Sequence, residues 1–197
     1  MKKEMKVIKL EAVSRGRGMS LMKALEGRES VREFASQEVS SGDLSDLLWA
    51  ANGINRPEFG YRTAPSAMNA QEIDLYVCRK EGAYLYEPAA RQLVMVSEED
   101  VRPWIIHQQS LLTAPLFLLL VADLSRLQGG DSQRKLLMSA MDAGCVSENI
   151  SLFCTAAGLA TVPRVTMNEP ELRKALNLNS SQHLLMNHPI GYPCKGK

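Results

Sequence analysis

The run LLTAPLFLLLVA, residues 111–122, constrains the fold more than any other stretch of the chain. It is the most apolar segment, yet Pro115 interrupts it, and it falls short of the roughly 20 apolar residues that a membrane-crossing helix needs. What remains is a strand, entered after the proline and buried in a protein core. A chain of 197 residues can build one such core and has little left for a second. No repeat, low-complexity tract or long linker divides it, so residues 1–197 are read as a single domain.

Around that strand the pattern alternates between helix and strand without a regular βαβ repeat, which makes the fold class α+β. Ser20 can cap a short helix through Leu21, Leu25 and Arg28, and Asp43 can cap DLSDLLWAAN, which Gly53 ends. Residues 53–70 show no hydrophobic period and read as an extended loop. EIDLYVC, GAYLYEP and RQLVMV read as three strands, and SEEDVRPWIIHQQSLL opens like a helix. Asp131 or Ser132 begins the longest helix, which runs to about Ala157 before Gly158, with Leu137, Met141, Cys145 and Ile150 expected near one face. TVPRVT is a short extended stretch, Asn168 and Pro170 start a small helix, and HLLMNHPIGYP is a last strand.

Charge and cysteine content exclude several functions. The 23 basic and 22 acidic residues balance, which argues against nucleic acid or an anionic membrane as a partner. Cys78, Cys145, Cys154 and Cys194 form no C-x-x-C, so neither zinc nor a disulfide framework is expected. The basic N-terminus lacks the apolar core of a signal peptide, and a soluble, cytoplasmic protein is the expectation. His107, His183 and His188 have no metal-ligand spacing and read as structural or surface residues. Met68, Met138 and Met141 read as packing, and Trp49 and Trp104 as core or interface.

Four motifs carry possible chemistry. In GRESVREF, residues 27–34, Arg28, Ser30 and Arg32 alternate with Glu29 and Glu33 between them. They either form ion pairs at a helix end or converge on an oxyanion, which the planar guanidinium donors and a hydroxyl would suit. APSAMNAQ, residues 64–71, offers small residues for close approach to a flat ligand, plus Ser66 and Asn69. GLATVPR, residues 158–164, leaves the long helix, and PCKGK closes the chain with two lysines.

In order and spacing, these four motifs resemble the nitroreductase family of FMN-dependent oxidoreductases, from about Ser20 to Lys197. The family's R-x-S-x-(R/K) is matched by Arg28, Ser30 and Arg32. Its P-S-x-x-N-x-Q loop is matched by Pro65, Ser66, Asn69 and Gln71, its G-L segment by Gly158 and Leu159, and its basic chain end by Lys195 and Lys197. Residues 44–77 look most like the branch containing SagB-type thiazoline/oxazoline dehydrogenases. The resemblance implies a mainly antiparallel central sheet flanked by helices, and a homodimer with FMN at each of two subunit interfaces. It implies ping-pong hydride transfer from NADH or NADPH, through flavin N5, to a nitroaromatic, quinone or other conjugated acceptor. A dedicated azoline dehydrogenase and a non-catalytic flavin-binding protein are the alternatives.

The resemblance also implies roles. Arg28 and Ser30, with Lys195 and Lys197, would hold the ribityl-phosphate end, and Glu29 would lie among the cofactor-binding residues. Arg32 would reach the pyrimidine edge, where a cation stabilises the negative charge left by reduction. Pro65, Ser66, Ala67 and Asn69 would come from the partner subunit. Val162, Pro163, Arg164 and Val165 would pass flavin N5, and because Pro163 has no N–H, the donor would be Arg164 or Val165. No side chain is implied as an acid or base. Two features depart from the family: Glu148 and Asn149 stand where many members have Gln-Asn, and RVTMNEP lacks the acid-glycine pair of some nitroreductases.

Overall fold

The computed structural model describes residues 6–106 and 109–194. In chain order the elements are β1 (Val7–Lys9), α1 (Leu21–Gly27), α2 (Ser41–Asn52), β2 (Ile54–Arg56), β3 (Tyr61–Arg62), β4 (Ile73–Arg79), β5 (Gly82–Glu87) and β6 (Gln92–Ser97). They continue with α3 (Arg102–Ile105), β7 (Leu116–Asp123), α4 (Ser132–Ala157), β8 (Ala160–Thr161), α5 (Glu169–Ala175) and β9 (Gln182–Gly191). Seven strands form one sheet in the order β1-β6-β5-β4-β7-β9-β8, with antiparallel neighbours throughout.

The apolar run is β7, at the centre of the sheet, and residues 116–122 are all 0% exposed. Its alternation supplies both faces. Leu116, Leu118, Leu120 and Ala122 pack into a cluster with Leu47, Leu48, Val146 and Ile150 from α2 and α4. Phe117, Leu119 and Val121 pack with Ile105 of α3 and Leu172 of α5 on the other side. A strand with apolar residues on both faces needs helices on both faces, and that requirement places α4 against the sheet.

α4 starts where expected, with Asp131 accepting a hydrogen bond from the Arg134 N–H at 2.8 Å. It ends at Gly158, whose φ of 73° lies in the left-handed region that glycine enters without strain.

Other expectations need correction. Ser40, not Asp43, caps α2, its hydroxyl accepting from the Asp43 N–H at 3.0 Å. The 53–70 stretch is not wholly loop, because β2 and β3 pair as a small hairpin. The helix read from residue 97 onward is instead one α-helical turn, α3, beginning only at Arg102, and a separate 3-10 turn at Gln109–Thr113; His107 lies outside the described residues. β1 was not expected at all. On α4, Ile150 is buried with Ser139, Ala143, Val146, Ser147, Ser151 and Cys154. Leu137 and Met141, by contrast, are 59% and 66% exposed. Serines and alanines line the inner face because α4 lies close to α2 and the sheet, which leaves the large apolar residues outside. Met68 is likewise exposed rather than packed.

Candidate functional site

Past α1 the chain becomes extended, starting with Arg28 at φ −64°, ψ 120°. Three contacts fix this segment. The Val31 N–H donates to the Thr161 carbonyl at 2.9 Å, Phe34 pairs with Pro193, and the Ala35 N–H donates to the Tyr192 carbonyl at 2.9 Å. Gly191 permits the approach, since a Cβ there would lie 2.9 Å from Pro115 Cδ and 3.3 Å from Phe34 Cβ. The first motif, the segment after Gly158 and the end of the last strand therefore adjoin.

Their electrostatics are one-sided. Arg28, Arg32 and Arg164 form no ion pair with any carboxylate among the described residues. Among the described residues, Arg32 donates only to the nearby Ser30 carbonyl, at 3.3 Å. Burial, and then the charge of Arg32, push the Arg164 guanidinium below its ordinary value, and its Nη1 is buried without a hydrogen-bond partner. Arg32 and Arg164 lie close enough to repel, and the unused buried donor of Arg164 fits an anionic ligand. The ion-pair alternative for Arg28 and Arg32 has no support in this geometry.

The Arg164 backbone is already committed. Its N–H donates to the Asn187 carbonyl at 2.9 Å, and it accepts from the Asn187 N–H at 2.7 Å. Of the two donors expected beside flavin N5, Arg164 is thus occupied and Val165, 68% exposed, is the better placed. Val162 is buried and Pro163 exposed.

The 64–71 loop lies elsewhere in the protomer. The Ala67 N–H donates to Asp142 Oδ2 at 2.6 Å, in the middle part of α4. Along the helix axis, Asp142 lies about 22 Å from Ala157, at roughly 1.5 Å per residue. One protomer therefore gathers Arg28, Ser30, Arg32 and residues 162–165 but not Pro65, Ser66, Ala67 and Asn69. The loop is nonetheless tightly built. The Ser66 hydroxyl accepts from the Gln71 N–H at 2.9 Å, and Gln71 bonds Arg62, Asn69 and the Gly60 carbonyl. Met68, Asn69 and Gln71, none of them glycine, all have φ between 51° and 54°. Such left-handed residues persist only where their surroundings hold them.

Lys195 and Lys197 lie outside the described residues. The chain leading to them is clasped. Tyr192 donates its hydroxyl to Asp43, which also pairs with Arg17. Burial pushes the Asp43 carboxyl up, but hydrogen bonds from Tyr192, Ser40 and Arg17 outweigh it and hold the group below its ordinary value. His188, for which the sequence offered no partner, is fully buried between Ser147 (2.9 Å) and Thr161 (3.1 Å). Burial lowers it to about 3, so it is a neutral tie between α4, β8 and β9. Sequence reasoning also missed Glu72 and Asp142, which sit under the loop. No motif flags them, and they are brought together only by packing.

Comparison with known proteins identifies the class to which this sheet order and helical cover belong. The model of the nitroreductase family matches residues 25–192, and the chain belongs to that family, whose members typically use a flavin. It is 30% identical over 174 residues to a provisionally named nitroreductase of Methanocaldococcus jannaschii, covering 83% of this chain and 86% of that protein. A crystal structure of a provisionally named nitroreductase from Ralstonia eutropha JMP134 superposes with a TM-score of 0.90 at 37% identity, covering 96% of this chain and 90% of that one. A provisionally named NADH oxidase from Clostridium acetobutylicum shares the fold at a TM-score of 0.59 and 21% identity, over 90% of both chains. Among the described residues, no helix is long and apolar enough to cross a membrane.

Proposed function

We propose that the protein is an FMN-dependent oxidoreductase, acting as a homodimer, that takes a hydride from NADH or NADPH and delivers it to a nitroaromatic, quinone or other conjugated acceptor. The observation that supports this reading is the approach of Arg32 and Arg164 on two adjoining segments, with the Arg164 Nη1 buried and without a hydrogen-bond partner among the described residues. When bound, FMN supplies a two-electron carrier that can serve donor and acceptor in turn.

The chain's own residues bind and tune it. Arg28 and Ser30 would hold the phosphate end, together with Lys195 and Lys197, and Glu29 would lie beside the cofactor. Arg32 and Arg164 would set positive charge at the pyrimidine edge, where it favours the reduced state. Val165 would offer its N–H near N5. Pro65, Ser66, Ala67 and Asn69 would reach the flavin of the second subunit, which the separation along α4 requires if both groups serve one cofactor.

The test is purification, release of the flavin by denaturation with chromatography, and anaerobic mixing with NADH or NADPH. The expected result is a yellow protein carrying FMN that either nicotinamide bleaches promptly. A colourless protein that cannot be reconstituted with FMN would overturn the proposal. The likeness of residues 44–77 to the SagB-type branch favours a second reading, a dedicated azoline-type dehydrogenase. FMN that responds slowly to nicotinamides but promptly to a thiazoline or oxazoline peptide selects it. FMN inert to both marks a non-catalytic flavin-binding protein.

A further inference from the structure

Glu72 follows the strained loop directly and is 0% exposed. Its carboxyl lies beside Asp142 and Ser139, yet neither oxygen completes a hydrogen bond of ordinary geometry, and the buried Ser139 hydroxyl is likewise unpartnered. Asp142 in turn accepts the Ala67 N–H at 2.6 Å. Two carboxyls from different elements thus meet under the loop, one holding it and the other facing it. The remaining charged groups nearby are committed elsewhere. Arg62 on β3 bonds Gln71 and the Asn52 carbonyl, while Arg126 bonds the Gln71 carbonyl and Asp74. Neither guanidinium neutralises Glu72.

We infer that Asp142 and Glu72 are positioning residues for the cofactor: Asp142 anchors the 66–71 loop from inside, and a proton on Glu72 keeps that anchor in place. Burial, and then the adjacent Asp142, push the Glu72 carboxyl up to about 7. The sign follows from linkage. An acid raised in the fold binds its proton more tightly folded than unfolded, so its stabilisation is complete below about pH 4.5 and is lost as pH rises through about 7. Above that range Glu72 carries charge beside the Asp142 carboxyl in a site shielded from water, and the cheapest relief is to release Asp142 from Ala67. The strained residues Met68, Asn69 and Gln71 then lose part of what holds them. The inference rests on the proposed function in one respect, that this loop meets FMN.

Two measurements on the full-length protein separate the ideas. One is the FMN dissociation constant by flavin fluorescence, from about pH 6 to about pH 8. The other is amide hydrogen-exchange protection of residues 66–71 in the flavin-free protein, corrected for the intrinsic pH dependence of exchange. Wild type should lose protection over this range while its apparent dissociation constant rises at least about threefold, because the competent fraction falls. Glu72→Gln, isosteric and uncharged, should bind at least as well and show neither change. Asp142→Asn keeps an acceptor for Ala67 and should also blunt the response. Protection that stays constant in wild type, or a Glu72→Gln variant with the wild-type response, would overturn the inference. If FMN fails to bind at any pH, the cofactor reading falls, and exchange in the wild type still decides the carboxyl pair.

Discussion

Removing Arg28 and removing Arg32 should be felt in different measurements, because the proposed roles differ: one charge would serve binding and the other reduction. Arg32→Ala should lower the flavin midpoint potential and slow reduction more than it weakens affinity, since its charge matters most once the ring is reduced. Arg28→Ala should mainly raise the FMN dissociation constant, by about tenfold or more if one charged phosphate contact is worth roughly 1.5–3 kcal/mol. Redox titration and fluorescence titration of both variants check this, and equal flavin loss at an unchanged potential would show the roles misassigned. These arginines were legible in the sequence because their alternation is local and survives any packing. The unpaired donor of Arg164 was not, because it depends on Asn187 fixing the backbone from another strand. Glu72 was hidden for a related reason. Alternation would group it with Asp74, but β4 begins only at Ile73, and Glu72 turns inward ahead of the strand.

At the scale of elements, signals that act within a few residues were readable, and those supplied by distant partners were not. α4 could be traced from Asp131 to Gly158 because cap, helix formers and stop all lie within it. Its inner face could not, since burial of Ser139, Ser147 and Ser151 follows from close contact with other elements. β1 exists only because β6 is there to pair with Val7, Ile8 and Lys9. The two glycines at the site differ in a way that can be measured. Gly158→Ala meets no atom within 4 Å and should cost only backbone strain, about 1 kcal/mol, with flavin affinity preserved. Gly191→Ala collides with Pro115 and Phe34 and should displace the 28–34 segment, so stability and flavin affinity should fall together. Urea unfolding with FMN titration checks both; equal behaviour would refute the role given to Gly191.

For the whole molecule, the mainly antiparallel sheet and its flanking helices were within reach of the family resemblance, whereas the helix–strand pattern alone gave only the α+β class and no strand order. The second subunit remains a proposal, supported by large apolar residues facing outward. Leu21, Met22 and Leu25 on α1 are 63%, 72% and 48% exposed, and Leu137 and Met141 of α4 join them. A groove between α1, α2 and α4 is lined by Met19, Leu21, Trp49, Leu152 and Phe153. Such surface is normally covered. Light scattering at micromolar concentration should give twice the 21.8 kDa chain mass, and Leu137→Glu with Met141→Lys should yield monomers that lose FMN. A flavin-replete monomer would rule out sharing of the site. The sheet itself is closed to further growth. Its outermost strands are only three and two residues long, and β8 is flanked by the segment around Val31. Without a long row of free edge amides among the described residues, neighbouring molecules have little template there for adding strand to strand. Association should therefore stop at a small, countable assembly, and a crowded solution of this protein should resist fibrous aggregation while its fold is intact.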